Sequence, residues 1–369
     1  SKLKGTDARA QDFISQALIV KPDSTAFASA QFHAVRLMIE SGKQVLARAV
    51  LDELLKVHRQ KFDETSLNLL LSQRMSLATG VADLLTFAPR FPATLSWNDD
   101  GREIPSEPSE IPPEMKALVG KQYFDFDAVS AFNRHLPLTL LKEAVKSSAL
   151  PVHLRRDLAQ ATWLRAVILD DFKSADEIAQ ILKPLIPLMT PALTEFLATE
   201  QPAAKKFLGI YTWLKFPGLE PVVDQGIGRE TELHTRDLLR DNWWCSAAIS
   251  GAPERTAEED DAPTSYTAEG DKAPAFLSPA ETEAAVREYS ALKALGAGPN
   301  YISRQVIDWA NGNPKDPRVP EALHLAVYTT RYGCTDKATA RWSKAAYDAL
   351  HRKYPNSTWA RKTKYWFKD

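Results

Sequence analysis

At 369 residues, with 25% charged and 44% apolar, the chain can bury a large core as two or three units or as one extended array. A formal net charge of −1 supplies no global field for nucleic acid or an anionic membrane. No apolar run approaches the roughly 20 residues that span a bilayer, and two cysteines, Cys245 and Cys334, are too few for a disulfide framework.

The chain starts at Ser1 without Met, as expected of a processed or excised polypeptide. Ala10, Ile14, Ala17 and Pro22 then follow the spacing A-x3-Φ-x2-A-x4-P. Small residues at 10 and 17 let two helices approach, Ile14 fills the groove between them, and Pro22 stops the helix. From Ser24, an N-cap, Phe27, Ala30, Ala34, Leu37 and Met38 keep helical periodicity until Ser41-Gly42. The next helix is expected to present Val45, Ala49, Val50, Leu54 and Val57 as its apolar face. Ala47 and Leu51 fall 37 residues after Ala10 and Ile14, a helical-repeat interval. A third helix pair is expected from Leu67 to Leu85.

Prolines 89, 92, 105, 108, 112 and 113 then forbid helices and central strands, which predicts an irregular connection. A second helical block follows, strongest over 152–169, where Leu154, Leu158, Ala161, Thr162, Arg165 and Leu169 share a face. Residues 251–279, with Glu258-Glu259-Asp260-Asp261, form an acidic Pro/Gly-rich break. Beyond it, Pro320 and Glu321 start a helix, a partner runs from about Lys337 to Arg352, and Tyr354-Pro355-Asn356-Ser357 is a stop with a fresh N-cap. The resulting divisions are 1–88 (N-terminal helical repeats), 89–124 (Pro-rich connection), 125–250 (central helical block), 251–279 (acidic connection) and 280–369 (C-terminal helical block).

The spacing from Ala10 to Pro22 resembles the second helix of a tetratricopeptide repeat. The phrase from Leu350 to Tyr365 resembles the tetratricopeptide repeats of bacterial cell-envelope lipoproteins and assembly factors. These resemblances imply an all-α fold, an α-α superhelix built as an interrupted solenoid of antiparallel helix pairs. They also imply a periplasmic or cell-envelope location, with the cytoplasm as the alternative, and membership of a larger complex.

Chemistry-bearing patterns are sparse. Histidines 33, 58, 135, 153, 234, 324 and 351 include no i, i+4 pair, so no zinc site is proposed, and no cofactor motif is present. Gly226-Ile227-Gly228-Arg229 lacks the third glycine of a dinucleotide fingerprint and reads as a turn. In Arg240-Asp241-Asn242-Trp243-Trp244-Cys245, adjacent tryptophans face different ways on a helix. They either close a helical layer or offer one indole to a sugar or a partner. Asp241 has no second acid at a spacing that glycoside hydrolysis would use.

Charge is segregated along the chain. Residues 254–288 hold ten acids against three bases, and residues 331–369 hold ten Lys/Arg against three acids. The end, from Trp359 to Lys368, interleaves bases with aromatics. In a helix this gives a packed aromatic face and a basic outer one, a reading preferred over nucleic-acid stacking.

The sequence therefore favours a non-enzymatic protein-interaction scaffold or structural subunit that takes a protein or peptide partner, with no nucleic acid and no cofactor. Its candidate partner-binding residues are Trp243, Trp244, Trp359, Arg361, Lys362, Lys364, Tyr365 and Trp366. The alternative is an all-helical carbohydrate-active enzyme or sugar-binding protein with a site near Trp243-Trp244.

Overall fold

The computed structural model describes residues 3–93, 96–97, 103–104, 116, 120–226, 273–331 and 335–368. It is a multi-helix, all-α fold in two compact units. One unit comprises Ser1–Ala128, Gln225–Gly228 and Asp271–Ser278; the other comprises Val129–Asp224, Arg229–Gly270 and Pro279–Asp369.

The first unit contains α1 (Ala10–Leu18), α2 (Phe27–Glu40), α3 (Gln44–Val57), α4 (Glu64–Ser76) and α5 (Val81–Phe87). Each packs on the next, and α2 also touches α4. The stops follow the sequence signals. Gly42, at φ +77, closes α2 as Lys43 N–H donates to Met38 O over 2.8 Å, and the Asp63 carboxylate caps α4 by accepting from Ser66 N–H. Ala10, Ile14 and Ala17 are buried, and so, 37 residues on, are Ala47, Leu51 and Leu54.

That interval also corrects the expected face of α3. Val45 and Val57 are 78% and 57% exposed, Ala49 is exposed and Val50 is half-buried. Helix α3 is apolar over more of its circumference than its neighbours can cover. Small Ala47 lets one stripe approach closely, so Ala47, Leu51 and Leu54 go inward and a second apolar stripe stays outside.

Past α5, the Pro-rich stretch contributes two short antiparallel ladders. Strand β1 (Pro89–Arg90) pairs with β4 (Tyr123–Phe124), and β2 (Ser96–Trp97) pairs with β3 (Glu103–Ile104). Arg90 is buried, donating to Ala88 O and pairing with Asp127 at 2.8 Å. The guanidinium fork satisfies carbonyls where proline cannot extend a helix.

The chain passes between the units within α6 (Phe126–Ser130), which a π-helical turn, Ala131–His135, continues. The second unit then packs α7 (Leu138–Lys146), α8 (Val152–Ile168), α9 (Phe172–Leu185), α10 (Thr190–Ala198) and α11 (Pro202–Lys215) in sequence. After the acidic break come α12 (Pro279–Lys293), α13 (Gly298–Gly312), α14 (Val319–Thr329), α15 (Thr339–Lys353) and α16 (Thr358–Lys362).

Helix α8 touches α7, α9 and α11, and every residue from Ala161 to Ile168 is buried. Gly209 lets α11 approach it, because a Cβ there would stand 2.4 Å from Val167 Cγ1. Within this core Arg165 donates to Pro221 O, Phe132 O and Asn133 O, while Asn133 exchanges hydrogen bonds with the Val223 backbone. Burial pulls the Arg165 guanidinium down to about 10, still charged at neutral pH, so its carbonyl partners satisfy the cation in place of water.

Candidate functional site

Most of the sequence-predicted partner residues that fall among the described residues gather where the second unit ends. Ser357 caps α16 by accepting from Ala360 N–H over 3.0 Å, and the helix runs for only five residues. The expectation that the basic-aromatic end is helical throughout is therefore corrected: Thr363–Lys368 is not helical. At the helix end the Thr363 hydroxyl donates to Trp359 O, the same acceptor that takes the Thr363 N–H.

Thr363 is the hub of this surface and is 1% exposed. Its hydroxyl proton goes to Trp359, so the 2.7 Å contact from His324 Nδ1 is a donation to Thr363 Oγ1. A carbonyl only accepts, so the 2.9 Å contact of His351 Nε2 with Thr363 O places a proton on that nitrogen. One imidazole from α14 and one from α15 thus grip a single residue. Beyond it, Arg331 donates to Tyr365 O at 2.9 Å, and Phe367 N–H donates to the buried Ser343 hydroxyl, which bonds in turn to buried Thr330.

The aromatics divide between the two helices. Trp359 packs on α14 through His324, with ring centroids 5.1 Å apart, and Trp366 packs on α15 through Tyr347 at 4.9 Å. Cations lie against these rings. Lys362 stands 4.6 Å from the Trp359 centroid, Lys344 and Lys368 stand 5.3 and 4.8 Å from Trp366, and Arg331 stands 4.1 Å from Tyr365. Arg361, Lys362 and Lys364 are exposed and Tyr365 is 58% exposed. Arg361 turns back to donate to Asn356 O, away from the rings.

Trp243 and Trp244, with Cys245 and Cys334, lie outside the described residues. The sequence reading passed over Thr363, His324, His351, Arg331 and Lys344. One signal was present: Tyr347 and His351 are a helical turn apart and stack at 4.1 Å.

Two grooves lie away from this surface. In the first unit a cavity of about 530 Å³ lies between the end of α1 and the outer side of α3, lined by Leu18, Ile19, Phe27, Val50 and His58 among others. Ile19 beside it is 79% exposed. In the second unit a groove of about 700 Å³ runs between α11 and α13, where Trp309 stacks on Phe207 at 4.9 Å. Gln201, Lys206, Gln305, Asp308 and Asn313 give it a polar rim, and Asp308 is the one carboxylate residue lining it among the described residues. No group of three or more His, Cys, Asp or Glu among the described residues is placed to hold a metal ion, and no described helix is long and apolar enough to cross a membrane.

Comparison with protein-family models, with curated proteins and with solved structures gives no match.

Proposed function

We propose that this chain is a non-enzymatic interaction scaffold, a structural subunit whose helix pairs stack as an interrupted tetratricopeptide-like solenoid and hold a protein partner. The observation that supports this reading is the second apolar stripe of α3. Val45, Leu46 and Val57 on α3, with Leu18 at the end of α1 and Ile19 just past it, stand exposed, and Leu18, Ile19 and Val50 line the groove, while the same helix buries Ala47, Leu51 and Leu54. Exposed apolar side chains gathered at a groove are what a partner's apolar residues cover.

The experiment is affinity recovery of the full chain from native extract, beside a Val45→Glu/Val57→Glu variant. A stoichiometric partner held by the wild type and released by the variant, with unchanged thermal melts, supports the reading. Equal recovery by both, or a wild-type chain that emerges alone, overturns it. A cell-envelope location belongs to the same proposal and rests on the resemblance of Leu350–Tyr365; fractionation that finds the chain only in cytosol removes it.

A further inference from the structure

We propose that Thr363–Lys368 is an acceptor edge for an extended acidic peptide, with carboxylates four residues apart flanking an apolar residue. This shares with the scaffold reading only the premise that the chain binds polypeptides, and it does not use the α3 face.

Thr363 O accepts from His351, Tyr365 O accepts from Arg331, and Phe367 N–H donates to Ser343. Alternate residues are thus pinned to α14 and α15. The intervening residues, Lys364 and Trp366, have no backbone partner among the described residues. In a non-helical segment, pinning at every second residue leaves the N–H and C=O groups between pointing the other way. A row of such groups at a period of two is what a peptide uses when it pairs as an added strand.

Lys364 and Lys368 are exposed, and no ion pair joins them to a carboxylate among the described residues. Trp366 lies between them in sequence, two residues from each, and Lys368 lies against its ring. Thr363–Lys368 has neither helix, turn nor bend, and where such a segment runs extended residues 364, 366 and 368 share a face, so a paired strand sets its own alternate side chains opposite them. The complement is Glu-x-Φ-x-Glu, with acids beside the two lysines and an apolar residue against the part of half-buried Trp366 that stays exposed.

The cations themselves separate a peptide from nucleic acid. Single-stranded nucleic acid needs bare aromatic faces for its bases. Here Lys362 covers Trp359, Lys344 and Lys368 cover Trp366, and Arg331 covers Tyr365. Ammonium groups held against rings still offer N–H donors to carboxylates.

The test is fluorescence anisotropy of the full chain with a labelled Glu-x-Val-x-Glu heptapeptide. The comparison ligands are a permuted peptide with adjacent acids, a Lys-x-Val-x-Lys peptide and an oligothymidylate. The expected result is saturable binding of the first, weakened about tenfold or more by Lys364→Glu/Lys368→Glu, with that variant now binding the lysine peptide. N-methylation of the probe's outward amides should abolish pairing. Equal binding of the permuted peptide, tighter binding of oligothymidylate, or no binding by the wild type overturns the proposal. So does a rise of about tenfold when Glu258, Glu259, Asp260 and Asp261 become amides, which assigns the edge to the chain's own acidic stretch. The Val45→Glu/Val57→Glu variant should bind the probe as the wild type does, so failure at one surface is read separately from failure at the other.

Discussion

Arg331 holds Tyr365 twice, donating to its carbonyl at 2.9 Å and lying 4.1 Å from the centre of its ring. One side chain at the end of α14 thereby fixes both the backbone and the aromatic face of the terminal segment. Arg331→Ala should release that grip at a cost of ~1–2 kcal/mol from a charged hydrogen bond and a cation–π contact. Limited trypsin cleavage after Lys364 should accelerate about tenfold by that figure, while cleavage within α15 should not change. Equal cleavage rates in the two proteins would show that Arg331 does not secure the segment.

The two stripes of α3 respond oppositely to substitution. Leu51→Ala empties a fully buried position and should cost ~2–5 kcal/mol, whereas Val45→Lys changes an exposed one and should stay within about 0.5 kcal/mol. Urea titration of the full chain measures both. A large loss from Val45→Lys in the isolated chain would restore the face expected from the sequence.

Gly209 and Val167 form one steric unit between α11 and α8. Gly209→Ala places a methyl 2.4 Å from Val167 Cγ1 and should destabilise by ~1–3 kcal/mol. Val167→Ala in the same chain opens that space, so the double variant should be less destabilised than the sum of the singles by ~1 kcal/mol. Strict additivity in thermal melts would mean that the helices separate rather than clash.

Acid should weaken the first unit through its paired carboxylates. Burial by itself raises the Asp83 carboxyl, but hydrogen bonds from Arg74 and Thr79 outweigh it and hold the group below the usual carboxylate range; the Ser66 backbone N–H does the same for Asp63. With the folded value depressed, the unfolded chain binds more protons. The stabilisation is full above the unfolded carboxylate value and is lost as pH falls through the folded one. Asp83→Asn should cost ~1–3 kcal/mol near pH 7, since Arg74 keeps Asp52, and should make the fall in stability on acidification shallower. Denaturation curves at about pH 7 and about pH 3 that shift in parallel for both proteins would contradict this.

The sequence by itself determined what short-range chemistry controls. Ser41-Gly42, Pro320 and Ser357 stand at helix ends because caps and φ limits act within one turn. The 37-residue interval set Ala47 and Leu51 in register with Ala10 and Ile14, although the face expected for that helix left them out; the structure buries all four. Periodicity could not choose between the two apolar stripes of α3, since both have helical spacing and only the positions of α2 and α4 decide which is covered. Nor could it find the terminal surface as built. Basic and aromatic residues from 359 to 368 suit an amphipathic helix locally, but His324 and His351, 39 and 12 residues from Thr363, hold that residue beyond the helix end. Tertiary structure decided the terminal surface because His324 and His351 supply donors for the Thr363 hydroxyl and carbonyl that no residue within one helical turn offers.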